Sequence, residues 1–487
     1  MNLLYLNPPF LGRFSRSSRS PAVAKGGTLY YPIWLSYAAG LAQQHGHSVR
    51  LFDAPAERAG LDELYTSLGD WQPGLVVVDT STPSIDHDVT VAARIKQRFP
   101  AAFVLLVGPH PSALPAACLE LHPAINGVAV GEYDATVVEL ATALEHHAPL
   151  EPIAGLLFRR DNEVIRTPER DKILDLDQFP FVTEIYRQYL NPHYYFFAAA
   201  KYPLVQIITG RGCPHRCFFC VYPQVFHSHR YRVRSAKNVV DEFEFIQQHL
   251  PMVREVGIED DCFTASPSHV RNICNELIAR GIRLPWYCNV RGDVKPDLLQ
   301  LMKRAGCRLV IVGFESADQT VLDGMHKGLN VADYRRFVRD VKQAGLMVHG
   351  CMMVGNPGDT RETLEASYRF AVEANFDSMQ FYPLYLYPGT LAYQWAEAKG
   401  YLQTTDFTQW LIPEGLHNCV LNLPELSSSD MVKLCDDYLR RYHLRPRYLL
   451  MKLWQGIRDP SEGYRTMLSA RIFFGKILQQ LLKRSRS

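Results

Sequence analysis

The sequence lacks any run of eighteen apolar residues, which argues against a membrane-spanning helix. Its start, MNLLYLNPPF, lacks the charged n-region and extended apolar core of a secretory leader. It lacks a large excess of either charge: 52 Lys and Arg face 50 Asp and Glu, and the formal net charge of +2 gives no reason to expect nucleic-acid binding. It also lacks a disulfide framework, because eight of the eleven cysteines stand alone, at Cys118, Cys262, Cys274, Cys288, Cys307, Cys351, Cys419 and Cys435. One remaining cluster in a chain of this size implies a reducing compartment, hence a cytoplasmic location, and a metal or redox use for those thiols. Repeats are absent, and low complexity is confined to RFSRSSRS (13–20), expected to be a mobile loop.

A chain of 487 residues with 47% hydrophobic and 21% charged content fits a globular protein of two or three domains. Residues 1–150 alternate continuous apolar runs (NLLYL, SVRLFDA, LVVVDTST, AFVLLVG, GVAVGE) with helical patterns, the signature of a parallel sheet covered on both faces. Ligands lie over the carboxyl ends of such strands. The loops expected there carry Asn7, Pro8 and Pro9, then Ser81, Thr82 and Pro83, then Gly108, Pro109, His110 and Pro111, and finally Gly131 and Glu132. Residues 151–200, with a hairpin turning at Asp161-Asn162, read as a connector.

The alternation restarts in 201–400 with a longer period. Strands are predicted at 204–209, 255–259, 286–290, 309–314, 348–354 and 379–382, separated by amphipathic helices. Six β/α units form an open three-quarter barrel, whose chemistry sits at the carboxyl ends of its strands. Residues 401–487 read as a helical region.

The one cysteine cluster, GRGCPHRCFFC, follows the first of these strands and spaces Cys213, Cys217 and Cys220 as C-x3-C-x2-C. Three thiolates can hold three irons of a 4Fe–4S cluster and leave the fourth open to an external ligand. The alternative is a zinc site completed by His215, His227 or His229. Phe218 and Phe219 favour the cluster, since they offer an apolar shell.

This array, with an aromatic residue before its last cysteine, resembles that of the radical S-adenosylmethionine (SAM) enzymes, and the resemblance extends across roughly residues 204–387. It implies that the amino and carboxylate groups of SAM chelate the open iron, and that an electron from the cluster cleaves SAM to a 5′-deoxyadenosyl radical. It places Phe219, Asp260, Asp261, Asn289, Arg291, Glu315 and Gly355 around SAM. The acids of IEDDCFT stand where the family keeps a Gly-Gly-Glu-like motif, without its glycines; Asn289 and Arg291 suit ribose hydroxyls and carboxylate; MVGNPGDT resembles the adenine-side segment, with Thr360 as a helix N-cap. Cys307, His349 and Cys351 are read as packing residues. Cys262 and Cys288 lie near the mouth, and Tyr382, Tyr385 and Tyr387 are candidates to line a substrate pocket.

LNPP, STPS, VGPHPSALP and VGE, in that order ahead of such a barrel, resemble the cobalamin-binding branch of the superfamily, close to hopanoid-biosynthesis and anaerobic magnesium-protoporphyrin-cyclase members. The implied fold class is α/β: a Rossmann-like cobalamin-binding domain (1–150), a connector (151–200), a partial (β/α)6 TIM-type barrel (201–400) and a helical basic C-terminal region (401–487). The resemblance assigns Asn7, Pro8, Ser81, Thr82, Gly108, Pro109, His110, Gly131 and Glu132 to cobalamin. The D-x-H-x-x-G motif that supplies a cobalt-binding histidine in many cobalamin proteins is missing, because DHDV (86–89) has the wrong spacing.

The expected reaction is C-methylation of a small molecule or lipid/isoprenoid-linked metabolite, with radical rearrangement or cyclisation as the alternative and a non-catalytic zinc- or cluster-bearing scaffold as an alternative of another class. An electron donor such as flavodoxin or ferredoxin is implied. From Arg445 onward ten Lys or Arg face two Asp or Glu among many apolar residues. Two readings stand for this tail: a peripheral membrane contact, and a helical lid with a solvated basic face.

Overall fold

The computed structural model describes residues 1–161 and 163–484, with side chains to residue 472. The first sheet contains β1 (Asn2–Asn7), β2 (Ser48–Asp53), β3 (Leu75–Asp79), β4 (Phe103–Val107), β5 (Gly127–Ala129), β6 (Leu156–Arg160) and β7 (Glu163–Arg166). Its order is β2-β1-β3-β4-β5-β6-β7, parallel through β5 and antiparallel from β5 to β7. Alternate side chains serve opposite faces: Leu3, Tyr5, Val77 and Leu105 join one apolar cluster, and Leu4, Leu6, Val78 and Leu106 the other. This two-sided burial explains why the strands read as unbroken Val/Leu runs. The hairpin expected in the connector is β6–β7, and it extends this sheet.

The second sheet holds β8 (Leu204–Ile207), then, beyond a small ribbon of β9 (Gly210–Arg211) with β10 (Arg232–Val233), β11 (Glu255–Ile258), β12 (Trp286–Val290), β13 (Cys307–Glu315), β14 (Met347–Val354) and β15 (Ser378–Pro383). Its order β15-β14-β13-β12-β11-β8 is parallel throughout and places the six predicted strands side by side. The helix Arg361–Ala374 starts as its sequence predicts, Thr360 Oγ1 accepting from Thr363 N. Helices Ser428–His443, Pro446–Arg458 and Pro460–Arg484 form the C-terminal region. Among the described residues no helix is long and apolar enough to cross a membrane.

The two sheets are joined by buried charge. Arg211, on the segment that leads into the cysteines, is 1% exposed; it donates to Asp134 Oδ2 at 2.6 Å and reaches Glu132 Oε2 at 3.5 Å. Arg232 also pairs with Glu132. The guanidinium of Arg211 lies 4.4 Å from the centroid of the Phe179 ring.

The loop 13–20, expected to be mobile, is anchored. Arg16 is buried, donating to Asp88, Asn7 Oδ1 and the Pro8 carbonyl, and Arg19 crosses to the Asp260 carbonyl at 2.7 Å.

Candidate active site

The cysteine loop leaves β9 through Gly212, whose φ is +90; a Cβ there would lie 2.3 Å from the Arg230 carbonyl oxygen. Only glycine suits both the angle and the contact. Past it the backbone is irregular, so its carbonyls need donors from elsewhere. Gln224 supplies them: its Nε2 reaches the carbonyls of Cys217, Phe218 and Cys220 at 3.2, 3.0 and 2.9 Å. Phe218 N donates to the Met325 carbonyl, and Cys213 N to that of Ser228.

Cys213, Cys217 and Cys220 line one cavity of about 530 Å³. Among the described residues no three Cys, His, Asp or Glu side chains converge on a single metal position. A 4Fe–4S cluster needs one thiolate at each of three separate irons. Of the histidines considered for zinc, His227 Nδ1 bonds Asp261 Oδ2 at 2.9 Å and His229 Nδ1 the Cys213 and His215 carbonyls, while His215 lines the cavity with the cysteines. Burial pushes the Cys220 thiol up to about 12.

Five of the seven residues predicted around SAM line this cavity: Phe219, Asp261, Asn289, Arg291 and Glu315. Burial pushes Asp261 up, but the His227 imidazole and Arg19 outweigh it and hold the carboxyl below its ordinary value. Arg291 donates through Nη2 to the Lys327 and Gly328 carbonyls, and its buried Nε pairs with Asp293 Oδ2 at 3.6 Å. A guanidinium on the same cavity wall as Asn289 and Asp261 fits the carboxylate of an amino-acid-bearing ligand.

Glu315 ends β13 with φ of +66, strained for a residue with a side chain. Its carboxylate takes Lys327 Nζ at 3.2 Å and the Tyr382 hydroxyl at 3.0 Å, folded over Gly313, where a Cβ would lie 2.2 Å from Glu315 Oε1.

The other two stand elsewhere. Asp260 is bound on the barrel wall by Thr209 N, Thr209 Oγ1 and the Tyr231 hydroxyl, and burial raises it to about 6. Gly355, with φ of +101, faces Met431 and Leu421. The sequence reading missed Arg19, Gln224 and Lys327; Gln224 lies in the VYPQ that follows the last cysteine, the nearest thing to a signal. His349 and Cys351, read as packing residues, line the cavity, as do Cys262, Tyr382, Tyr385 and Tyr387, whereas Cys288 is core.

The nine residues assigned to cobalamin lie at the carboxyl edge of the first sheet, outside the wall of this cavity. Asn7 donates to Asp53 and sits with Pro8 under Arg16; Ser81 bonds Ser84; His110 bonds Thr82 below Phe407. Pro109 and His110 open a short helix behind Gly108, and Glu132 is taken by Arg211 and Arg232. Along the seam between this edge and the cysteine loop, Tyr133 Oη, Ser17 Oγ and His227 Nε2 are buried without partners, and Gly108 and Gly131 take φ of +118 and +72. Unpaired polar atoms at this seam fit the amide-rich periphery of a corrinoid.

An open six-stranded parallel barrel with a three-cysteine loop at its mouth, preceded by a parallel α/β domain, defines a two-domain enzyme class that uses a site-differentiated cluster. Residues 207–371 match the family model of the Radical SAM superfamily, and residues 19–141 that of the B12 binding domain. An uncharacterized methyltransferase of Pyrococcus horikoshii is 27% identical over 88% of this chain and 91% of its own length. An anaerobic magnesium-protoporphyrin IX monomethyl ester cyclase of Cereibacter sphaeroides is 28% identical over 78% of this chain and 62% of its own. The radical SAM methyltransferase TsrM of Kitasatospora setae, solved with cobalamin and a [4Fe-4S] cluster, shares the fold at 21% identity and a TM-score of 0.65, over 83% of this chain and 76% of that one. The chain belongs to the cobalamin-binding-domain radical SAM family. It is an enzyme of radical SAM type whose cofactors are a 4Fe–4S cluster, SAM and cobalamin.

Proposed function

We propose that this enzyme transfers a methyl group from SAM to an unactivated carbon of a largely apolar small molecule. The observation that carries the reading is the cavity itself: it opens on all three cysteines and continues into apolar space walled by Ile311, Met379, Phe381 and Leu384. The likeness to a methyltransferase over 88% of the chain supports it.

When bound, the cluster and SAM supply a one-electron cleavage yielding a hydrogen-abstracting radical, and cobalamin supplies a methyl carrier. The chain's residues do the rest. Cys213, Cys217 and Cys220 would hold the cluster on a loop stiffened by Gln224. Asp261 and Arg291, on the cavity wall, would take the ammonium and carboxylate of an amino-acid group, and Asn289 a hydroxyl. Glu315, with Lys327 and Tyr382, fixes the far side of the mouth. The apolar walls exclude water from a reactive radical. Tyr133 and Ser17, whose buried hydroxyls lack partners, and the strand-end loops of the first sheet would hold the corrinoid.

The test is an anaerobic assay with reduced, reconstituted enzyme and candidate extracts. Equal yields of S-adenosylhomocysteine and 5′-deoxyadenosine support methyl transfer; 5′-deoxyadenosine without S-adenosylhomocysteine favours rearrangement or cyclisation. A flavodoxin or ferredoxin is the expected reductant.

The peripheral membrane contact rests on the helix Pro446–Arg458, which exposes Leu450, Leu453, Trp454 and Ile457 beside the exposed Arg447 and Arg458. Phe473, Phe474, Ile477 and Leu478, also part of that reading, lie outside the described side chains. Replacing the four exposed apolar residues with Ser should abolish co-flotation with anionic vesicles; unchanged flotation would remove the contact.

A further inference from the structure

The cavity has two unlike ends. At the mouth stand the cysteines with Asp261, Arg291 and Glu315. At the other end, where β14 and β15 begin, stand His349 and Ser378, closed over by Lys452 and Arg465 of the C-terminal helices. Strands of six to eight residues rising about 3.3 Å per residue put roughly 20 Å between these ends. Leu449 lies on the cavity wall and is also 49% exposed, giving an apolar way in near the deep end.

Charge at the deep end is unevenly matched. Arg308 is held by Glu255 at 2.7 Å and Glu462 at 2.8 Å, and Arg465 by Glu462 at 2.8 Å. Lys452 is only 7% exposed, yet among the described residues no carboxylate lies within ion-pairing distance of it. Its Nζ donates to the Gln455 amide oxygen at 2.9 Å and stands 5.5 Å from the Tyr448 ring centroid. Asp377 and Glu462 act on it from farther off, Asp377 being taken by Gln455 Nε2 and Val348 N and Glu462 by Arg308 and Arg465. An ammonium carries three donors, and a buried cation without a counter-charge is costly. Burial pushes its pKa down to about 8, which leaves most of the population charged at pH 7.

We propose that the cavity takes an elongated, mainly apolar substrate whose anionic end, a phosphate or a carboxylate, is held by Lys452, placing the carbon to be modified at the cysteine end. This deepens the methyl-transfer reading and rests on it for the cavity being the substrate site.

The test is calorimetric binding of dodecyl phosphate, dodecanoate and dodecanol to the full chain without SAM. At least one anion should bind tenfold or more tightly than dodecanol, and the tighter of the two identifies the head group. Lys452→Met should lower that anion's affinity at least tenfold and leave dodecanol within twofold. Lys452→Arg should retain the preference, which separates loss of charge from loss of fold. Dodecanol binding as tightly as both anions, or an undiminished preference in Lys452→Met, would overturn the proposal. Cys213→Ala should bind the anion normally while cleaving no SAM. Anion binding with no methyl transfer in any assay would defeat the methyl-transfer reading and leave the Lys452 site standing.

Discussion

Replacing Arg211 with Met tests whether buried charge fastens the first domain to the cysteine loop. Arg211 and its partners Asp134 and Glu132 are all at most 5% exposed, so removing the guanidinium strands one carboxylate entirely and leaves the other to Arg232 alone. Breaking a buried pair from one side costs about 3–5 kcal/mol, because the remaining charge is desolvated without compensation. The contacts with the Phe179, Trp34 and Tyr37 rings are lost as well. Against a domain stability of roughly 5–15 kcal/mol, a fall of this size is readily measured in urea. Equilibrium unfolding of the cluster-free chain, followed by tryptophan fluorescence, should place Arg211→Met about 3–5 kcal/mol below wild type. Adding Asp134→Asn should recover about 1–3 kcal/mol, since the stranded charge is then gone. A loss under about 1 kcal/mol in the single variant, or no recovery in the double, would refute the reasoning.

Cys213→Ala, Cys217→Ala and Cys220→Ala should each abolish 5′-deoxyadenosine formation, and normal turnover in any of them would sink the cluster assignment. Gln224→Leu strips donors from three loop carbonyls and should reduce iron retained after reconstitution at least twofold, measured per chain alongside an unchanged unfolding midpoint. Gly212→Ala should prevent cluster assembly, because its Cβ meets the Arg230 carbonyl at 2.3 Å. Burial holds His110 down at about 4, below its ordinary value, so the unfolded chain binds the extra proton first as pH falls. Its contribution is therefore intact above about pH 6.5 and is lost on acidification toward 4. In His110→Gln the stability difference between pH 7 and pH 5 should shrink by about 2 kcal/mol; no change would remove His110 as a source of acid sensitivity.

Legibility in the sequence followed the range of the forces involved. The six barrel strands were readable because each is locally apolar and bounded by amphipathic helices, and observed ends differ from predicted ones by two residues or fewer. The cysteine array was readable because its chemistry lies within eight residues. The loop 13–20 looked mobile from its Ser and Arg content, yet Arg16 is fixed by Asp88, seventy-two positions away. The hairpin 156–166 looked like a connector because its partner strand β5 is only three residues long and pairs antiparallel in an otherwise parallel sheet. Asp260 and Asp261 are adjacent and chemically alike, but neighbouring side chains leave the chain on opposite sides, so one braces the wall and the other faces the cavity. Lys452 had no motif at all; its position depends on how the terminal helices close the barrel.

The reach of Arg19 makes the two halves of this chain a poor candidate for dissection. A loop rooted after the first strand of one domain supplies a cation to the rim of the other, where it touches the backbone of Glu259 and Asp260 and faces Asp261. Expressed alone, the barrel would keep its three thiols but carry a rim with one positive charge too few. Expressed alone, the first domain would keep Arg16 on Asp88 but leave Arg19 without its partners on the barrel rim. Domain exchange between relatives should therefore succeed only when this loop travels with the barrel it completes.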